Sequence, residues 1–377
     1  MTAGRGRAER VDLAAIEEPE LAAAWGRLAE LRENPFLTLE WYRAWLDTHP
    51  DEDPFPVVWW RGDDIRGVLP LVRASIGPLR VLRFAGARRG DWFTPACAPD
   101  DEEAMGGACA ELLTRERRQW HLLALDRVDC ESAWPEALWQ GSGVVAPSPA
   151  GREDVLPYVR FEDGGYEAYI AGRSRNFRSQ VGRRRRKLEH DHGLSFRMTS
   201  RPEDLGADLD GFFELHEERW RDRGGSSALS ADAKELHRRF AAAALERGWL
   251  RLWTAEADGA PAAAWYGWRI GDRYCYSLSG LSERYERLAL GTVLLAHTIE
   301  QAAAEGATTY DLMWGDEDYK QRFETGRRRA RTWQVGRRGH PVRWAAVAGG
   351  RVVDRVRALP PGAREPLKRL YGAAARR

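Results

Sequence analysis

Cysteine is scarce in this chain. Its 377 residues hold four, Cys97, Cys109, Cys130 and Cys275, with no CxxC pair and no histidine at ligand spacing. That excludes a disulfide framework and a metal-ribbon site, so no metal is expected; the cysteines read as small core residues of a reduced, cytoplasmic protein. No apolar run approaches about 18 residues, which excludes a helical membrane span. The basic stretch Met1 to Arg10 lacks a following apolar segment, so it is no secretory signal and is expected to be disordered. Net charge is only +1, from 58 basic and 57 acidic residues, so the molecule as a whole is no polyanion magnet. The balance of 43% hydrophobic and 31% charged residues is that of an ordinary globular protein, and the length exceeds what one core serves, which predicts two domains.

What is present is one order of elements, run twice. In the second half, Leu194 to Thr199 predicts a strand. Leu209 to Arg221 predicts a helix, and Asp232 to Arg247 another, capped by Ser230 and ended by Gly248. Leu250 to Glu256 and Pro261 to Ile270 predict a hairpin turning at Asp258-Gly259, and Arg273 to Ser279 a third strand. A helix from Leu288 to Glu305, a strand at Thr308 to Met313, a helix near Asp316 to Thr325 and a strand at Ala330 to Val335 follow. The first half reads similarly. It has helices at Pro19 to Leu31 and Leu39 to Thr48, a hairpin at Phe55 to Val72, and a strand at Leu79 to Phe84. A helix at Asp101 to Arg117, a strand at Trp120 to Leu125, a short helix at Ser132 to Trp139 and a strand at Val155 to Arg160 complete it. The Gly/Pro/Ser-rich stretch Gly141 to Glu153 is the expected linker.

Only the second half carries a crowded polar run, Tyr310-Asp311-Leu312-Met313-Trp314-Gly315-Asp316-Glu317-Asp318-Tyr319-Lys320. Together with Ser174-Arg175-Asn176-Phe177-Arg178, Arg186-Lys187-Leu188-Glu189, Leu215-His216, Arg219-Trp220, Ser279-Gly280 and Leu290-Gly291, this run resembles the CelD/FemAB-type GNAT-like acyltransferases. The resemblance spans Tyr166 to Val335. It implies an α/β fold of two tandem GNAT-like domains, each a mixed, mostly antiparallel sheet flanked by helices. The expected boundaries are 1–150, 151–340 with the working site, and a basic extension over 341–377. It also implies transfer of an acyl or aminoacyl group to an amine, without naming donor or acceptor.

Simple GNAT enzymes hold the coenzyme A pyrophosphate on a Gln/Arg-x-x-Gly-x-Gly/Ala loop at a helix N-terminus. Here the matching stretch is Arg287-Leu288-Ala289-Leu290-Gly291-Thr292, where Arg287 fits and one glycine survives a place off register. Arg287, Gly291 and Thr292 are the candidate donor-binding residues; a plain helix start is the alternative. Amine acylation needs a base for the ammonium and an acid for the leaving group. The proton chemistry is expected around Asp311, Asp316, Glu317 and Tyr319: Asp311, at the end of a predicted central strand, or Glu317 is the candidate base, and Tyr319 the candidate acid. Asp316 to Asp318 also sit where acids simply complement a helix dipole, and Tyr319 with Phe323 would also bury a helix face. His216 follows the family pattern as a base or orienting group, with a buried structural histidine as the alternative; His297 reads as core.

Between Arg173 and Lys187 lie seven arginines and a lysine. Phe177, Val181 and Leu188 give that helix a narrow apolar seam, and Ser174 is its N-cap. The charges suit a solvated face, an anion clamp built on Arg175, Asn176, Arg178 and Lys320, or a platform for tRNA phosphates. Arg219, Trp220 and Trp314 complete the substrate-binding candidates. The expected function is N-acyl transfer from an acyl thioester, acyl-CoA, to an amine of a small molecule or envelope precursor. The alternatives are aminoacyl-tRNA-dependent aminoacyl transfer, as in FemAB-type relatives, and a non-catalytic scaffold that kept the fold.

Overall fold

The computed structural model describes residues 6–87, 89–140, 148–149, 153–221, 226 and 228–336. Most of the expected linker, and all of the extension 341–377, lie outside the described residues. The first half runs β1 (Arg7–Arg10), α1 (Leu13–Ile16), α2 (Pro19–Leu31), α3 (Leu39–Thr48), β2 (Asp53–Arg61) and β3 (Asp64–Ile76). It continues with β4 (Leu79–Phe84), β5 (Ala96–Cys97), α4 (Glu102–Arg115), β6 (Leu122–Asp129), α5 (Trp134–Gln140) and β7 (Ser148–Pro149). β8 (Asp154–Arg160) follows, and the second half then runs α6 (Gly165–Ala171), α7 (Arg175–His192), β9 (Ser195–Met198), α8 (Pro202–Arg221) and α9 (Ala231–Glu246). After them come β10 (Leu250–Ala257), β11 (Ala260–Ile270), β12 (Arg273–Leu281), α10 (Leu290–Ala304), β13 (Thr309–Asp311), α11 (Asp318–Gln321) and β14 (Gly326–Gly336).

Local chemistry sets these boundaries. Pro19 opens α2, Thr38 caps α3 by accepting from Trp41 N, and Ser174 caps α7 by accepting from Phe177 N. The β10–β11 hairpin turns on Asp258 and Gly259, both at positive φ, the conformation that matches strand twist.

The strands form one continuous sheet, in the order β1-β2-β3-β4-β6-β14-β8-β13-β12-β11-β10-β9. Each half supplies four antiparallel strands followed by a parallel one, β4 beside β6 and β12 beside β13. The next strand is exchanged. β8, read from sequence as closing the first half, pairs with β13 of the second, and β14 crosses back to pair with β6 of the first. β8 and β14 pair with each other and seam the halves together.

Four further readings are corrected. Residues 7–10, expected to be disordered, form β1 against β2, with Ala8 buried. Helix α8 begins at Pro202 rather than near Leu209, because Leu205 extends its apolar stripe one turn back. Helix α11 is only four residues long, since Thr325 already hydrogen bonds to Arg160 and the chain enters β14 at Gly326. Cys130 is exposed, while Cys97, Cys109 and Cys275 are core residues as expected.

Both faces of the second-half sheet are covered, so β11 is buried from Ala262 to Trp268 and alternates between two cores. Trp265 packs with Tyr274 and Tyr310 under α10 and α7. Tyr266 and Trp268 pack with Phe212 and Phe240 of α8 and α9, in a core continuous with that of the first half. Trp25, Trp45 and Trp59 belong to that same core.

Candidate functional site

β12 and β13 pair only from Arg273 to Cys275 against Thr309 to Asp311. Beyond that point β12 runs on to Leu281 paired with β11 on its other edge, and β12 and β13 part. On its other edge β12 carries a bulge: Tyr266 pairs with Leu278 and Gly267 with Tyr276, which leaves Ser277 without a partner in the register. Two adjoining cavities fill the wedge. One, of about 430 Å³, is walled by Tyr276 to Ser279 and by residues of both halves. The other, of about 220 Å³, runs under the start of α10 past Ala289, Gly291 and Thr292. Arg219, Tyr276, Ser279 and Tyr319 line both.

The chain beyond β13 is shaped to face this wedge. Asp311 Oδ1 accepts from Met313 N at 2.8 Å, which closes a side-chain turn and holds Met313 at φ 59. Gly315 follows at φ 128, and Trp314 stands 47% exposed at the cavity mouth. Lys320 is buried; its ammonium donates to Trp314 O at 2.6 Å and lies 3.0 Å from Glu317 Oε2.

The first half supplies the opposite wall. In β6 two residues, Asp126 and Arg127, face the single Thr332 of β14, and Arg127 takes φ 45 at that bulge. Its guanidinium donates to Asp91 O at 2.8 Å and lies 5.2 Å from the Trp314 ring. Asp91 borders the cavity beside it. Burial pushes the Asp91 carboxyl up to about 7, against the opposing pull of the Arg127 and Lys320 cations. Burial, reinforced by the neighbouring Tyr276 phenol and by Glu317, holds the Tyr319 phenol far above its ordinary range, so it remains a proton donor.

Of the residues singled out from sequence, His216, Glu317, Tyr319, Arg219, Trp220, Trp314 and Lys320 line the larger cavity, and Gly291 and Thr292 the smaller. Asp311 does not line either. It is fully buried behind them, in contact with Arg273 and Arg328. Asp316 is exposed and pairs with Arg327, and Arg287 is exposed outside the smaller cavity. Arg175, Asn176 and Arg178 lie on the exposed start of α7, where Asn176 accepts from Gln180 and Arg178 donates to Ala171 O. Arg89, Asp91 and Arg127 were missed. The only trace they left is a charged interruption, Arg88-Arg89-Gly90-Asp91, between a strand and the aromatic pair Trp92-Phe93. Among the described residues no cluster could hold a metal ion. A cavity of equal size beside α2 is lined by Asp101 and Arg66, which pair with each other.

Residues 175–321 match the family model described as acetyltransferase (GNAT) domain. No curated protein matches. Among solved structures, FemX is similar with a TM-score of 0.59 at 11% identity, over 86% of this chain and 96% of that one. The C-terminal domain (DUF2156) of a putative lysylphosphatidylglycerol synthetase from Agrobacterium fabrum gives 0.56 at 10% identity, over 88% and 96%. L-PGS from Bacillus licheniformis gives 0.50 at 13% identity, over 85% and 98%. With the doubled order of strands and the wedge in the second half, these likenesses make the fold a tandem GNAT-like one, with residues 175–321 matching the GNAT domain model.

Proposed function

We propose that this enzyme transfers an acyl group from an acyl thioester to an amine. In this reading the thioester enters over the N-terminus of α10 and the amine from the side of Asp91 and Trp314. The observation that carries the reading is the pair of adjoining cavities, which share Arg219, Tyr276, Ser279 and Tyr319 where the strands part. A carboxyl near 7 suits proton removal from an ammonium, and a phenol that stays protonated suits donation to a departing thiolate. The amine nitrogen attacks the thioester carbon, Asp91 takes the nitrogen's proton, and the C–S bond breaks as Tyr319 protonates the sulfur. Glu317 fixes Lys320, whose charge together with that of Arg219 offsets the negative charge on the carbonyl oxygen. We place the working unit in the second half, within 151–340, completed by the 85–92 loop and Arg127.

Aminoacyl transfer from charged tRNA is the second reading. The helix α7 favours it: Arg183, Arg186 and Lys187 are exposed and form no ion pair among the described residues. The likeness in fold to FemX points the same way. Thermal melting with acetyl-CoA, longer acyl-CoAs and aminoacyl-tRNA separates the two, because a ligand that binds the native state raises the melting point. A rise with a CoA ester, followed by thiol release on adding amines, is the expected result. A rise only with charged tRNA, steeply reduced by salt, would replace the first reading with the second.

A further inference from the structure

The wall of the larger cavity holds a serine and a histidine that the acyl-transfer reading leaves idle. His216 on α8 is 3% exposed, and its Nδ1 lies 2.8 Å from Ser279 O. A carbonyl oxygen can only accept, so Nδ1 carries the proton and Nε2 presents its lone pair. That lone pair lies 3.0 Å from Ser226 Oγ, whose hydroxyl donates to it. Ser226 Oγ in turn accepts from Ala228 N at 3.1 Å, so the hydroxyl is held rather than free to rotate. Burial lowers the His216 pKa, which keeps the imidazole neutral at pH 7 and able to take a proton. A serine directed at a neutral imidazole, itself oriented by a second hydrogen bond, is the arrangement of an activated nucleophile. Both residues line the cavity, as does the Arg219 guanidinium, which donates to Ser279 Oγ at 2.9 Å.

We propose that Ser226 is a covalent acyl relay, with His216 as its base. The inference rests on the acyl-transfer reading of the same cavity and splits its single attack on the thioester into two: Asp91 still takes the proton that frees the amine from its ammonium, and His216 replaces Tyr319 as the thiolate's proton donor. Ser226 Oγ attacks the donor carbonyl as its proton passes to His216 Nε2. The donor's C–S bond breaks, and the thiolate leaves with that proton, giving an ester on Ser226. The amine then attacks the ester carbon, its proton passes to Nε2, and Ser226 Oγ departs and recovers the proton. Arg219 faces the carbonyl oxygen in both halves of the reaction. The relay makes the kinetics ping-pong and adds a slow hydrolytic activity when no amine is present, water replacing the amine.

The test treats the full chain with an alkyl fluorophosphonate, which reacts with activated serines, followed by intact-mass measurement and peptide mapping. Stoichiometric labelling of Ser226 is expected, lost in Ser226→Ala, slowed at least about a hundredfold in His216→Gln and unchanged in Ser230→Ala. Acetyl-CoA with an amine should then give parallel double-reciprocal lines and an acetylated Ser226 peptide on quenching. No label on Ser226 in the wild-type chain overturns the relay, whatever the variants do. Intersecting lines with full thiol release in Ser226→Ala also overturn it, yet leave direct acyl transfer standing. No transfer from any thioester donor, by contrast, removes the underlying reading.

Discussion

Asp91→Asn tests whether the buried Asp91 carboxyl is also the catalytic base, because burial predicts a gain in stability and catalysis a loss of rate. The Asp91 carboxyl sits at about 7 in the fold against an ordinary 3.8, so its ionisation is disfavoured by burial. A raised folded value means the stabilising contribution is complete below 3.8 and is lost as pH rises through about 7. That gap corresponds to about 4 kcal/mol at pH 8, and contact with solvent through the cavity trims it to about 2–4 kcal/mol. Asn keeps the shape without the charge, so Asp91→Asn should be more stable than the native chain at pH 8. The two should converge near pH 4, read from denaturant titrations at both values. Turnover should move the other way, falling by a factor of about 10²–10⁴. In the native enzyme kcat/KM should fall as pH drops through about 7, and the variant should lack that limb. A variant that turns over within about threefold of the native enzyme at pH 8, or that is less stable there, would refute the assignment of Asp91 as the base.

Asp311→Asn should cost up to about 3–5 kcal/mol of stability, since it removes the fully buried partner of the half-buried Arg273 and Arg328. The kcat per folded molecule should persist, which active-site titration beside denaturant unfolding would check. His237 is buried and pushed down to about 3, so the fold loses stability as pH falls from 6.5 towards 3, on the order of 4 kcal/mol across that window. Melting curves of His237→Gln should lose that acid slope; an unchanged slope would assign the acid sensitivity elsewhere. Gly280→Ala places a methyl 2.6 Å from Leu215 Cβ and 2.7 Å from His216 N, so α8 must shift off β12. It should cost about 1–3 kcal/mol and lower kcat, measured by thermal melting and thiol release.

The hairpins and helices were legible because their signals are local. Asp258-Gly259 needs two residues at positive φ to turn, and Phe177, Val181 and Leu188 repeat at helical spacing whatever lies elsewhere. The exchange of β8 and β14 was not legible, since a strand's side-chain pattern states which faces are buried but not which neighbour it pairs with. That one ambiguity accounts for the misreading of Asp311. Its partner Arg328 belongs to Arg327-Arg328-Arg329, an exposed-looking basic run until β14 is placed beside β8, two strands from β13. The same holds for Ser226. It lies in a Gly-Gly-Ser-Ser run that reads as a loop, and nothing in that run states that its hydroxyl meets His216 Nε2 at 3.0 Å.

The exchange also bears on why the site needs both halves. β14 carries Thr332, whose hydroxyl accepts from Arg127 N at the β6 bulge, and Arg328, which meets Asp311 at the end of β13. The two non-glycine residues at positive φ that face the larger cavity, Arg127 and Met313, are thus each held by contacts that reach one strand. Strain of about 1–3 kcal/mol at such a position persists only where the surroundings fix it. Here β14 fixes both, by crossing from the half that bears Met313 to the half that bears Arg127. The seam that joins the two halves is therefore also the device that sets Asp91 and Arg127 opposite Trp314 and Lys320. A single copy of the fold keeps the wedge between β12 and β13 but lacks one of its walls.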